Sequence, residues 1–600
     1  MINRLKQLQP TLPAIAAITF GVALILRLIF LWQWNQTTYG QLPLLDALAY
    51  DKWAEDILNG HWLRERAFYQ SPLYPYLLAL LYGIFGHSLL VGSIFNVLLG
   101  ALTCAGLSVI AGRYFGTGGA IATGLLAAFY RPFIFYSAPL LKESLGLCLL
   151  TFFVLFALNA VKKNNSRDYI LSGVMLGLTA LVRSNILLLA PAFVLLMLFY
   201  WQRASLKPLL MFGLATFLMI LPATIHNATV SHDFVLISYG GGLNFYLGHS
   251  PVATGSNSYL PNISSDPLEG EESDVRQMAE AALGHPLRPS EVSDFWFHQG
   301  MQYISRNPGN IFVLLTNKFW LFWDNYEHGD NYDVPFVTKN FDTILSWPLI
   351  NFWLVSLLTA ISIGVFWRTP QREVKTLVCF AGVYMISVVM FYVTDRYRLP
   401  VVVFLLPLAG GAVVGVQQSI RRRSWTNLTA ASALAVLSLW LSFTLVGDAP
   451  TRDATNWGII AGLQSDLQQD QQAVDTLQKG LAFSWMVGSS SYIKTSLSAE
   501  RLGRLEDARQ LLEIATRYYP QDGRVFYHYG RFWSLIGNLS AAQSALEHSI
   551  ELSPGYVLSY TGLAKVYNKR GNHAKAHEIA QRGLTIAPND SELMRLIKSP

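Results

Sequence analysis

TLPAIAAITFGVALILRLIFLWQW, residues 11–34, carries a single charge, Arg27, in 24 positions. A helix needs about 20 consecutive apolar residues to cross a bilayer core, so this stretch reads as a membrane span. It is long for a secretory signal and lacks the small-residue cleavage pattern, so the sequence predicts that it is retained. Similar runs recur as far as Val446 and then stop, leaving a polar tail. The whole chain of 600 residues is 52% hydrophobic and 14% charged, a balance outside the soluble globular range. The predicted fold is all-α: a polytopic transmembrane bundle over residues 1–447, then a helical-repeat domain over 448–600.

About eleven spans are expected, beginning near Thr11, Leu89, Gly119, Leu140, Tyr169, Ile186, Leu206, Ile344, Thr376, Leu399 and Trp425. With Arg4 and Lys6 cytoplasmic, the inner loops collect Arg113, then Lys162, Lys163 and Arg167, then Arg203 and Lys207, then Arg368, Arg372 and Lys375, and finally Arg421 to Arg423. Cytoplasmic loops carry such an excess of basic residues, which sets the N-terminus inside and the repeats outside the cytoplasm, at a bacterial inner membrane. Ser71–Phe85 and Ile311–Trp323 must then lie on the outer face as interfacial helices, because a further crossing at either would invert every later span. Outer loops are expected over 35–90 and 226–343, and Tyr239–Pro267 reads as a mobile loop, a plain connector or a substrate gate. The net charge of +6 sits at span ends, with no basic groove interleaved with aromatics, which excludes nucleic acid as a partner. Cys104, Cys148 and Cys379 lie inside apolar runs without metal-type spacing and read as small hydrophobes.

In the tail Pro520, Pro554 and Pro588 recur every 34 residues, as do Gly503, Gly537, Gly571 and Ala508, Ala542, Ala576. That period defines tetratricopeptide repeats at about 489–522, 523–556 and 557–590, with a degenerate one at about 455–488 lacking the proline. Such a solenoid binds a partner or acts as a stabilising appendage.

Four short stretches carry the candidate chemistry. In QLPLLDALAYDKWAEDILNGHW (Gln41–Trp62) the acid Asp46 comes closely after the first span, with Tyr50 and Asp51 beyond it. A carboxylate there accepts a proton from an incoming hydroxyl or holds a divalent cation against a phosphate; the alternative is a solvated loop acid. YRPFIFYSAPLLKES places Arg131, Lys142 and Glu143 at the lipid boundary, where ionisable groups are functional candidates by default. TDRYRLP (Thr394–Pro400) sets Arg396 and Arg398 on either side of Tyr397. Arginine forks suit phosphate oxygens, those of a lipid-linked donor or of ordinary membrane lipids, and Arg27 and Arg183 are further candidates.

The acids after the first span, the interfacial SPLYPYLLALLY, the acid in LLKESL and RYRLP before a late span together resemble the GT-C glycosyltransferases, especially the protein O-mannosyltransferase and aminoarabinose transferase-like group. The resemblance covers about Thr11 to Val446. It implies transfer of a sugar from a polyprenyl-phosphate donor to an acceptor hydroxyl on a protein or glycan, on the extracytoplasmic face. Asp46 matches the first-loop catalytic acid and Glu143 the acid opening the fourth span. Arg396 and Arg398, with Lys142, Arg183 and Arg131, would hold the donor phosphate. The stretch Val235–Pro251, with Asn244 and Tyr246 in GGLNFYLG, resembles a glycine-rich loop closing over the site beside Tyr50 and Asp51. In this chain Asp46 is followed by Ala47, where many of the group carry an acidic pair. No cofactor motif is present, and dependence on a divalent cation stays open. Two rival readings are an O-antigen ligase or polymerase type using a diphosphate-linked donor, and a non-catalytic scaffold for the repeats.

Overall fold

The computed structural model describes residues 11–200, 206–256, 260, 270–368, 371–444 and 449–598. Arg4, Lys6, Arg203 and the later part of the Tyr239–Pro267 stretch lie outside these. The described residues are helical, joined by turns and one isolated bridge, Tyr130 to Ile350. The chain divides into two compact units, Met1–Val446 and Gly447–Pro600.

In the first unit, six helices are long and apolar enough to cross a membrane: Leu12–Trp34, Leu89–Ala128, Glu143–Lys163, Leu206–Ser231, Asp395–Arg421 and Trp425–Phe443. The second of these is a hairpin. At Gly116 the backbone turns to φ +73°, ψ −169°, a conformation that glycine adopts without steric cost. The two halves then fold back on each other, with Ser108 Oγ donating to Ala120 O at 2.9 Å and Cys104 Sγ to Ala127 O at 3.3 Å. Ser166–Ala180 and Phe352–Val365, which the hydropathy reading counted as spans, have 15 and 14 residues. The span expected to begin near Ile344 starts instead at Phe352, because Ile344–Ser346 is a 3-10 turn and Ile350 pairs with Tyr130.

Small residues let these helices approach closely, since lipid supplies no hydrophobic drive between them. Ser166–Ala180 meets Leu206–Ser231 through Gly173 and Gly177; a Cβ on Gly173 would lie 2.4 Å from Phe212 O. Leu73–Phe85, a 13-residue helix, buries Tyr74, Leu78 and Tyr82 and exposes the apolar Leu80, Ile84 and Phe85. The stretch read as a mobile connector begins otherwise: Gly241–Gly248 is a helix pressed on Pro289–Arg306, with room for no Cβ between Gly242 and Ser293 O.

In the second unit, helix pairs Ser489–Arg501/Leu505–Tyr518, Gly523–Leu535/Leu539–Leu552 and Val557–Lys569/His573–Ile586 come one after another. Gly503, Gly537 and Gly571 end the first helix of each pair at φ +73°, +88° and +74°. Ala508, Ala542 and Ala576 are buried where the two helices of a pair cross. An earlier pair, Ala449–Asp466 and Asp470–Leu481, turns at Gln468 with φ +59°, a left-handed position held without glycine.

Gly173→Ala is expected to destabilise the membrane unit by about 1–3 kcal/mol through overpacking. Gly213→Ala, on the same helix pair but with open space at its Cβ, is expected to leave it unchanged within about 0.5 kcal/mol. Thermal unfolding of the two variants in detergent checks this.

Candidate active site

The helix Asp46–Leu58 starts directly after Leu45, whose φ of +45° and ψ of −118° are costly for a branched residue. That turn brings Asp46 and Tyr50, one helical turn apart, to the same side, where they line a cavity of about 470 Å³. Lys142, Arg183, Asn244, Asp330, Arg396 and Tyr397 line it too.

Arg396 is the central charge. Its Nη2 lies 2.5 Å from Asp46 Oδ2 and its Nε 2.7 Å from Asp330 Oδ2 and 3.8 Å from Glu143 Oε1. Gln70 Nε2 donates to the other Asp46 oxygen at 3.2 Å. Behind them Arg183 Nη2 donates to Glu143 Oε1 at 3.0 Å, and the Arg183 guanidinium lies over Tyr397, 4.7 Å from its ring centre. Arg183 Nη1 is buried without a hydrogen-bond partner among the described residues, and Lys142 forms no ion pair among them; it lies 5.8 Å from the Tyr50 ring. Lys142 thus remains available to an anion beside an acid that is already paired, while Arg183 is shared with Glu143.

The titration behaviour is set by these neighbours. Burial works to raise the Asp46 carboxyl, but Arg396 and then Lys142 outweigh it and hold it below the ordinary aspartate range. Asp330, buried behind the same arginine, ends above that range. Burial, reinforced by Arg183, pushes Lys142 down to about 8. Glu271, which accepts from Tyr69 OH at 2.7 Å, is raised by burial to about 7.

Several expected residues lie elsewhere. Arg398 faces away from the cavity: residues two apart on a helix point in nearly opposite directions. Its guanidinium donates to Phe322 O, Asp324 O and Glu327 Oε2 and stacks over Phe352, which fixes the 322–327 turn. Arg131 donates to Trp347 O at 3.3 Å beside the Tyr130–Ile350 bridge. Arg27 is fully buried between Ala23 O and Cys104 Sγ. Tyr246 packs on Trp296, and Asp51 points away from Asp46 toward Tyr82 and His87. Glu143 lines a narrow apolar cleft with Leu147, Leu150, Val182, Ile186 and Leu399 that shares Lys142 and Arg183 with the main cavity. Reading the sequence missed Asp330, Glu271, Gln70, Tyr69 and Tyr392. Asp330 lies in an acidic stretch, EHGD, that gives no hint of its arginine; Tyr69 and Gln70 closely precede the Leu73–Phe85 helix.

A family model described as dolichyl-phosphate-mannose-protein mannosyltransferase matches residues 69–226, and supports a membrane glycosyltransferase of the GT-C kind. The matched segment contains Tyr69, Gln70, Lys142, Glu143 and Arg183. No curated protein matches the chain. Among solved structures, YrrB, described as a TPR protein with an unusual peptide-binding site, is 19% identical over 31% of this chain and 90% of that one, with a TM-score of 0.23. The MamA protein is 22% identical over 25% of this chain and 79% of that one, at 0.22. MamA 41-end from Desulfovibrio magneticus RS-1 is 17% identical over 29% and 92%, at 0.21.

Removing one member of a buried ion network leaves its partners charged and unpaired, which costs about 3–5 kcal/mol. Arg396→Met is therefore expected to lower stability by that order, and Arg396→Met with Asp330→Asn to recover part of it. Thermal unfolding of single and double variants measures the difference.

Proposed function

We propose that this protein moves a sugar from a polyprenyl-phosphate donor to an acceptor hydroxyl at the extracytoplasmic face of the membrane. The observation carrying this reading is the meeting, in one cavity, of an ionised carboxylate, Asp46, with Lys142, a cation that forms no ion pair among the described residues, beside Arg183, whose charge is shared with Glu143.

Asp46 accepts the proton of the acceptor hydroxyl as that oxygen forms a bond to the anomeric carbon. The bond from that carbon to the phosphate oxygen breaks, and the electron pair leaves with the polyprenyl phosphate. Attack from the side opposite the leaving group inverts the anomeric centre. Lys142 and Arg183 hold the phosphate as its charge grows, a stabilisation that matters more in a water-poor cavity. Arg396 takes a positioning role rather than the phosphate contact that the sequence pattern suggests: it orients Asp46 and keeps it ionised. Asn244, held by Tyr392 OH at 2.9 Å, and Tyr50 face the sugar or acceptor. The repeats bring the acceptor protein or glycan, or a partner, to this face.

The test is sugar transfer by the purified full-length protein from a radiolabelled panel of polyprenyl-phosphate sugars. Asp46→Asn is expected to lower kcat by about 10²–10⁴-fold, the usual contribution of a general base. Lys142→Met is expected to raise the donor KM by about 10–100-fold with a smaller change in kcat, from the loss of one charge-assisted contact. The donor KM of the wild type should rise above pH about 8, where Lys142 loses its proton, and this limb should vanish in Lys142→Met. Turnover with diphosphate-linked donors alone, or none with any donor in folded protein, overturns the proposal.

A further inference from the structure

Away from the cavity, the Asp46–Leu58 helix has a second charged face. Asp51 and Glu55 are one turn apart and look toward His87, in the link between Leu73–Phe85 and the Leu89–Ala128 hairpin. His87 Nε2 lies 3.1 Å from Asp51 Oδ1 and its Nδ1 3.4 Å from Glu55 Oε1. One ligand atom from each of the three residues lies within 4.8 Å of the others. A tetrahedral cation with bonds of about 2.0–2.2 Å needs ligand atoms about 3.3–3.6 Å apart, so binding requires the imidazole to turn and the half-exposed Glu55 carboxylate to swing toward the same ring nitrogen as Asp51.

The surroundings suit such a site. Tyr82 OH donates to Asp51 Oδ1 at 2.7 Å, and the Tyr82 ring meets His87 edge-on at 4.8 Å. A ligating carboxylate held by an outer hydrogen bond is a usual support of a metal centre. The side chains of His87 and Glu55 are 40% and 44% exposed, which leaves a path for the ion and room for a water as fourth ligand. Imidazole with two carboxylates favours zinc over magnesium, which prefers all-oxygen octahedral sites.

We propose that Asp51, Glu55 and His87 bind a zinc ion that fastens the Asp46–Leu58 helix to the start of the hairpin. The ion stands apart from the sugar-transfer cavity and takes no part in its chemistry; it stiffens the helix whose first residue is Asp46.

The experiment is calorimetric titration of the tag-free, EDTA-stripped full-length protein with Zn2+ and separately with Mg2+, with thermal unfolding alongside. One Zn2+ per chain, no saturable Mg2+ binding and a melting point raised by Zn2+ are expected. His87→Ala should abolish the shift and weaken binding by more than about tenfold, and Tyr82→Phe should weaken it by about 10–100-fold. Asp46→Asn should bind Zn2+ as the wild type does, which separates this site from the cavity whether or not sugar transfer is observed. Absence of saturable Zn2+ binding, equal affinity in His87→Ala, or loss in Asp46→Asn overturns the proposal; the first of these would make the three residues an ion-pair cluster.

Discussion

The contact between Arg396 and Asp46, 2.5 Å long and joining residues 350 apart in sequence, ties the start of the membrane unit to its late helices. Two charges are removed from water there, and an isolated charge in such a place is costly enough to be lost by neutralisation or by unfolding. The arrangement spreads that cost over several groups. Arg396 is shared with Asp330, Glu143 stands between Arg396 and Arg183, and Arg183 rests on the Tyr397 ring. Asp46 and Arg183 both take their positions from this set of ion pairs. A neighbouring helix start, with Leu45 held at φ +45°, is kept in a backbone conformation that only such surrounding constraints maintain.

How much of this can be read from the chain depends on whether the cause is local. The repeats are legible because each is a short unit specified by its own residues: glycine at the first helix end, alanine at the crossing, proline between repeats. The apolar runs are legible because the bilayer imposes a length, although Ile344 shows the limit. Its stretch is apolar enough to be read as helix, but Ile350 is engaged by Tyr130 before the helix begins at Phe352.

The candidate site is legible only in part. Asp46, Lys142, Glu143 and Arg183 stand out because ionisable residues next to apolar runs are conspicuous. Arg396 and Arg398 look alike in RYRLP, and only the helical path separates them, sending one toward Asp46 and the other into the 322–327 turn. Asp330 and Glu271 have no distinguishing neighbours in sequence; burial gives them meaning, and burial here comes from elements hundreds of residues away. The glycine-rich GGLNFYLG illustrates the opposite error. Its glycines suggest looseness, yet those at 242 and 248 are there because backbone from Ser293 and Phe391 presses against them.

The distance along the chain between Asp46 and Arg396 also sets a schedule for biosynthesis. At about 5–20 residues per second, roughly 20–70 s pass between the emergence of the acid and the emergence of its arginine. During that interval Asp46 has no arginine to meet, so the cavity is incomplete while the chain is being made. The membrane unit becomes competent only once its penultimate long helix is in place, which, for the proposed function, keeps a half-made protein from engaging lipid-linked sugar.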